Sequence, residues 1–321
     1  MPERVRITDV SPRDGLQNEP GVIPTAEKVR LVELLCATGV DEVEVTSFVS
    51  AKWVPQLGDG ADVLKGAGNT VRHGGWGVRG AVWSALVPNE KGMLAVVELN
   101  GAGTQLVDKV AVFTAASETF ARRNTNASIA ETLERFRPVF ALASEHGLPV
   151  RAYISCVSAC PFEGPVDPRR VADLAGTLLG MGAAEVDLGD TIGAGTPDTV
   201  LALLGAVSRE IAAGASQTPR GGFVAPLITL HLHDTFGRAA ECVRAALDAG
   251  VRSFDGSVAG LGGCPYASTP GKRAPGNIAT ETLVRTIHEA GYETGVDLDK
   301  LAEAAAFARE IVSKSRAGGG A

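Results

Sequence analysis

The sequence predicts an α/β protein, a single (β/α)8 TIM barrel with an extra C-terminal helix. Three observations carry this reading. Runs rich in β-branched residues recur at eight places, and segments of helical spacing with legible caps lie between most of them. The length of 321 residues suits one barrel of about 250 residues with additions. The connections are too long for hairpins, so the strands should be parallel with right-handed crossovers, and eight strands close a barrel.

Taken in order, the first strand is VRITDV (5–10), followed by a helix that ends at Gly39, where glycine fits the left-handed position past a last turn. EVEVTS (42–47), VWSALV (82–87) and KVAVFT (109–114) supply the next three strands. Ser128, with Glu131 three residues later, reads as a capping box opening the helix before VRAYISCV (150–157). Asp167 before Pro168 opens the next helix, which Gly182 closes ahead of AEVDLG (184–189). Thr196 before Pro197 opens another, and ITLHLH (228–233) follows; Gly250 ends the helix before SFDGSVAG (253–260), and Gly291 ends the eighth unit. DKLAEAAAFAREIVSKS then forms the extra helix, with Leu301, Ala304, Ala305 and Ala308 as its buried stripe. One catalytic domain, 1–314, is expected, with 315–321 (SRAGGGA) as a flexible tail; no linker or internal repeat interrupts it.

A net charge of -7 and a pI near 5.4 argue against nucleic-acid or anionic-membrane partners. No run approaches the roughly 20 apolar residues of a membrane span, and the N-terminus lacks a signal-peptide core, so the cytoplasm is expected. The five cysteines (Cys36, Cys156, Cys160, Cys242, Cys264) contain no CxxC pair. That pattern suits a reducing compartment rather than a disulfide framework or structural zinc, and Cys156 and Cys160 are read as packing residues.

In this architecture, sites collect at the C-terminal strand ends. Those ends carry Arg13 and Asp14, then Glu44, Thr46 and Ser47, then Tyr153, Asp190 with Thr191, His231 with His233, and the loop GLGGCPYAS. Gln17 belongs to the same polar cluster as Arg13 and Asp14. His231 and His233, two apart on a strand, point to one face, a chelating arrangement when Asp14 shares the mouth. Two imidazoles, a carboxylate and an amide oxygen, for which Asn277 is the candidate, suit Mg²⁺ or Mn²⁺ better than tetrahedral zinc. Arg13 is placed to stabilise an oxyanion, and Cys264, on a glycine-rich loop, to give or take a proton. DTIGAGT (190–196) lacks the lysine of a P-loop and reads as a strand-to-helix turn.

SPRDGLQNE, EVTSFVSAKWVPQ, SCVSACPFEG, LGDTIGAGTP, HLHDTFGRA and VAGLGGCPYA together resemble the serial motifs of the 3-hydroxy-3-methylglutaryl-CoA lyases, over nearly the whole chain. The resemblance implies retro-Claisen cleavage of 3-hydroxy-3-methylglutaryl-CoA to acetoacetate and acetyl-CoA, with leucine breakdown and ketone-body formation as the family's setting. It implies Asp14, His231, His233 and Asn277 as metal ligands, Glu44 as support behind them, and Arg13 as the stabiliser of the enolate. It also implies Asp14 or His231 as the group deprotonating the C3 hydroxyl, and Cys264 as the acid that protonates the enolate carbon. Gln17, Ser47, Tyr153, Asp190 and Thr191 are expected to bind substrate, and Arg122, Arg123 and Asn124 are candidate CoA contacts. The family's habit suggests a homodimer. The run PYASTPGKRAPG after Cys264 is longer than the family's usual lid and adds Lys272 and Arg273, which keeps a related substrate such as citramalyl-CoA open. A condensing enzyme or aldolase of the same superfamily, or a non-catalytic acyl-CoA-binding barrel, are the remaining readings.

Overall fold

A computed structural model of the chain describes residues 2–72, 80–101, 103–215, 228–263 and 275–318. Eight parallel strands form a closed barrel: β1 (Arg6–Asp9), β2 (Glu42–Ser47), β3 (Val82–Leu86), β4 (Lys109–Ala115), β5 (Val150–Ser155), β6 (Glu185–Asp190), β7 (Ile228–Leu232) and β8 (Ser253–Gly256). Each pairs with its neighbour in sequence, and β8 returns to pair with β1, Asp9 lying opposite Gly256. The (β/α)8 expectation is thereby met.

Around the barrel run α1 (Thr25–Ala37), α2 (Gly60–Ala67), α3 (Glu90–Gly101), α4 (Glu118–Thr125), α5 (Ile129–Glu145), α6 (Pro168–Gly180), α7 (Pro197–Ala215), α8 (Ala239–Asp248), α9 (Thr280–Glu289) and α10 (Leu298–Gly318). The outward strand residues, such as Val43 and Val45 of β2, join the apolar core beneath these helices. Helix starts fall where the caps place them. Ser128 and Glu131 form the full capping box, Asp167 accepts from the Arg169 N–H at 2.9 Å, and Thr196 Oγ1 accepts from the Thr199 N–H at 3.3 Å. Gly39, Gly182, Gly250 and Gly291 all take positive φ. Ser128→Ala should lower stability by about 1 kcal/mol in urea titrations without altering the site, since it leaves orphan N–H groups at the start of α5 only.

The inward face is polar. Lys109 Nζ lies 2.7 Å from Glu42 Oε2 and 2.8 Å from Glu185 Oε1, and Arg151 pairs with the same two carboxylates while donating to Thr8 Oγ1 at 3.0 Å. Alternation along β2, β4, β5 and β6 puts these charges in one layer, where barrels of this class more often stack Val, Ile and Leu. Each charge there has an opposite partner, the condition under which burying it is tolerable.

Three local differences from expectation appear. The β5–α6 connection carries a short antiparallel ribbon, Ala159–Cys160 with Gly164–Pro165. Helix α10 continues to Gly318, into the expected tail: Ser315 Oγ donates to the Gly21 carbonyl at 2.7 Å, and Arg316 grips Glu19 through two bonds of 2.8 and 2.9 Å. β8 stops at Gly256, and Val258–Gly260 forms a 3₁₀ turn instead of continuing the strand. Cys156 and Cys160 are buried with Ala115, Phe120 and Ala121, as packing residues. Leu301, Ala304, Ala305 and Ala308 are buried as expected. Among the described residues, no helix is long and apolar enough to cross a membrane.

Candidate metal centre at the barrel mouth

Strand alternation turns His231 inward near the end of β7, and His233 just beyond it does the same while its backbone bridges to Asn277. The two Nε2 atoms approach to 3.1 Å. Asp14 comes from one wide helical turn, Ser11–Gly15, that follows β1 and has Pro12 as its second residue, where a missing N–H costs nothing. Ligand atoms of Asp14, His231 and His233 all lie within 4.8 Å of one another. Asn277 Nδ2 donates to Asp14 Oδ2 at 2.8 Å and to the Leu261 carbonyl at 2.9 Å, while its Oδ1 is buried without a partner. An orphaned amide oxygen beside two imidazoles and a carboxylate fits a hard divalent cation. Gly262 permits this closeness: its φ is +91°, and a Cβ there would stand 2.7 Å from Asn277 Nδ2 and 3.0 Å from Asp14 Oδ2.

The charges are arranged around that point. Burial opposes ionisation of Asp14, but Arg13, His231 and His233 outweigh it and hold its pKa at about 2. Burial also opposes a charge on His231, yet Asp255, Asp14 and Asp187 push its pKa up to about 9. Burial and the neighbouring His231 bring His233 down to about 4, because two imidazolium rings this close repel. Arg13 is 7% exposed and is held from two sides: Nε donates to Glu44 Oε2 at 2.6 Å and Nη1 to Asp14 Oδ1 at 2.7 Å. Its guanidinium also lies 5.4 Å from the centroid of the Tyr153 ring. Tyr153 in turn donates to Glu44 Oε2 and accepts from Arg151, both at 3.3 Å, linking the mouth to the charged layer below.

The protein-family model described as HMGL-like matches residues 4–308. This chain belongs to the HMGL-like family. The mitochondrial hydroxymethylglutaryl-CoA lyase of Gallus gallus is 43% identical over 96% of this chain and 93% of its own. The 3-hydroxy-3-isohexenylglutaryl-CoA/hydroxy-methylglutaryl-CoA lyase of Pseudomonas aeruginosa is 45% identical over 98% of this chain and 95% of its own. The crystal structure of the HMG-CoA lyase from Brucella melitensis superposes with a TM-score of 0.84 at 44% identity, covering 97% of this chain and 99% of that one. The resemblance read from the motifs is borne out.

The other expected site residues of this HMGL-like chain are placed less uniformly. Tyr153 reaches the site through Glu44 and Arg13. Ser47 is buried, its Oγ accepting from the Val49 N–H at 3.1 Å. Thr191 Oγ1 accepts from the Cys156 N–H at 2.7 Å, beside the left-handed Cys156. Asp190 closes the 190–196 turn by accepting from the Ala194 and Gly195 N–H groups, at 3.1 and 2.7 Å. Gln17 is half-buried. Arg122, Arg123 and Asn124 are exposed on the last turn of α4, with Arg123 stacked 4.2 Å from the Phe162 ring centroid. Cys264, Lys272 and Arg273 lie outside the described residues.

Residues not singled out from the sequence also build the site. Asp255 on β8 places Oδ1 2.9 Å from His231 Nδ1, and Asp187 on β6 is fully buried in the same layer. Asp9 accepts from Ser11, Thr280 and Val258, tying β1 to the loop after β8; burial pushes its pKa to about 6 against those bonds. Strand alternation was the available signal for Asp187 and Asp255, which lie deeper on the inward face than the strand ends.

Proposed function

We propose that this chain cleaves 3-hydroxy-3-methylglutaryl-CoA into acetoacetate and acetyl-CoA. The observation that carries the reading is the convergence of Asp14, His231 and His233 within 4.8 Å of one another, with Arg13 bonded to Asp14, in a chain of the HMGL-like family. Asp14, His231, His233 and Asn277 Oδ1 would hold Mg²⁺ or Mn²⁺. When bound, the ion supplies Lewis-acid polarisation of the substrate oxygens. Asp14 takes the proton from the C3 hydroxyl on a carboxylate oxygen, C3 becomes the ketone of acetoacetate, and the C2–C3 electron pair passes into the thioester enolate; His231, occupied at both ring nitrogens, is left as a ligand. Arg13, oriented by Glu44, stabilises that enolate oxygen, and Cys264 returns a proton to C2.

Substrate contacts are assigned to Gln17, Ser47, Tyr153 and Thr191, with Asp190 shaping the turn beside them. Two basic neighbourhoods suit the CoA phosphates: Arg122 and Arg123 on α4, and a cavity of about 450 Å³ between the 259–262 loop and α10 that contains Arg309 and Arg316. A homodimer in the cytoplasm completes the reading; the scattered cysteines, with no CxxC pair, support a reducing compartment.

The test is product analysis of purified protein with Mg²⁺, comparing 3-hydroxy-3-methylglutaryl-CoA with its 3-isohexenyl homologue and citramalyl-CoA. Equimolar acetoacetate and acetyl-CoA from the first substrate is the expected outcome. Preference for the isohexenyl homologue, which the name of the Pseudomonas relative includes, would move the substrate and keep the chemistry. Failure to cleave any of the three would overturn the proposal.

A further inference from the structure

The two imidazoles at the mouth have different backing. In the strand ladder Asp255 of β8 sits directly beside His231 of β7, and both side chains point inward. Asp255 is 1% exposed, and its Oδ1 stands 2.9 Å from His231 Nδ1. The Nε2 of the same ring faces the other way, toward His233 Nε2 at 3.1 Å. Among the described ion pairs no carboxylate stands within reach of His233 Nδ1, so the close approach of a carboxylate belongs to one ligand of the pair. Asp255 sits beneath the imidazole and not among the groups facing the substrate space, so its effect on chemistry passes through His231.

We infer that Asp255 is a positioning residue of the metal centre: its carboxylate accepts the hydrogen bond of His231 Nδ1–H, holds the ring's one proton on that nitrogen and thereby leaves the Nε2 lone pair to the cation. A neutral imidazole carries one N–H. If that proton sat on Nε2, the ring would present a donor to the ion rather than a ligand. A buried carboxylate at Nδ1 selects the productive tautomer, fixes the ring plane and raises the basicity of the opposite nitrogen. The inference rests on the metal reading of Asp14, His231 and His233.

The experiment is Mn²⁺ titration of metal-stripped full-length protein, following free Mn²⁺ by electron paramagnetic resonance, for wild type and Asp255→Asn. The wild type should bind one ion per chain, and Asp255→Asn, nearly identical in volume, should bind about 10–100-fold more weakly. Unchanged affinity in the variant, within twofold, would overturn the role of Asp255 while leaving the metal site intact. Absence of Mn²⁺ binding by the wild type would overturn the metal reading and this inference with it. A second measurement needs no folded Asp255 variant. In Mg²⁺-loaded wild type labelled with ¹⁵N-histidine, His231, assigned by its loss in His231→Gln, should be protonated at Nδ1. Protonation at Nε2 instead would contradict the inference, even if the Asp255→Asn chain failed to fold.

Discussion

His233→Gln is expected to lower kcat/KM for thioester cleavage by about 10³-fold, because a Lewis-acid contribution of several kcal/mol is lost at about 1.4 kcal/mol per tenfold. This ligand gives a cleaner test than its neighbour. Burial and the adjacent His231 hold His233 near a pKa of 4, so it is neutral at working pH and its removal leaves no buried charge unpaired. Removing His231 would strand Asp255, and a fall in stability would then be mixed with the fall in activity. Bound Mn²⁺ per chain should drop along with activity in His233→Gln, while circular dichroism and the melting temperature stay close to wild type. Full activity with metal content unchanged would remove His233 from the ligand set.

Arg13→Lys should lower kcat by about 10²–10³-fold, the usual cost of losing a donor aimed at a developing oxyanion, and should leave Mn²⁺ affinity within a few-fold. The guanidinium meets Glu44 through Nε and Asp14 through Nη1 at once, which a single ammonium cannot reproduce. Lysine still keeps a cation beside Glu44, so the variant avoids the unpaired buried carboxylate that Arg13→Met would create. Steady-state kinetics and Mn²⁺ titration on the same preparation separate this outcome from that of His233→Gln, in which both quantities fall. A large loss of metal affinity in Arg13→Lys would show that Arg13 supports the ligands and not the enolate.

Much of the barrel was legible because its strands are short β-branched runs and its helices begin and end on chemically explicit caps. Ser128 with Glu131, and Asp167 before Pro168, each satisfy end groups that a helix cannot satisfy itself. The mouth was legible for a different reason: a barrel brings all strand ends to one side, so Asp14 and Asn277 could be joined although 263 residues separate them. The charged lumen was not legible in the same way, because β-branched runs mark where a strand lies and not which of its polar residues face inward. Lys109, Arg151, Asp187 and Asp255 are of this kind. The extension of α10 could not be read from composition. SRAGGGA looks like a loose tail, and what orders its start is Gly21 and Glu19, partners 294 and 297 residues away. Cys264 lies outside the described residues, so its part in the chemistry rests on its place in the glycine-rich run and on the family resemblance.

The central claim, that the mouth of this barrel is a divalent-metal site for cleaving 3-hydroxy-3-methylglutaryl-CoA, is tested most directly by chelation and restoration. Activity should vanish after exhaustive treatment with a chelator and return in full as Mg²⁺ or Mn²⁺ is added back, with bound Mn²⁺ saturating at one ion per chain. Undiminished cleavage by the metal-stripped protein would contradict the account.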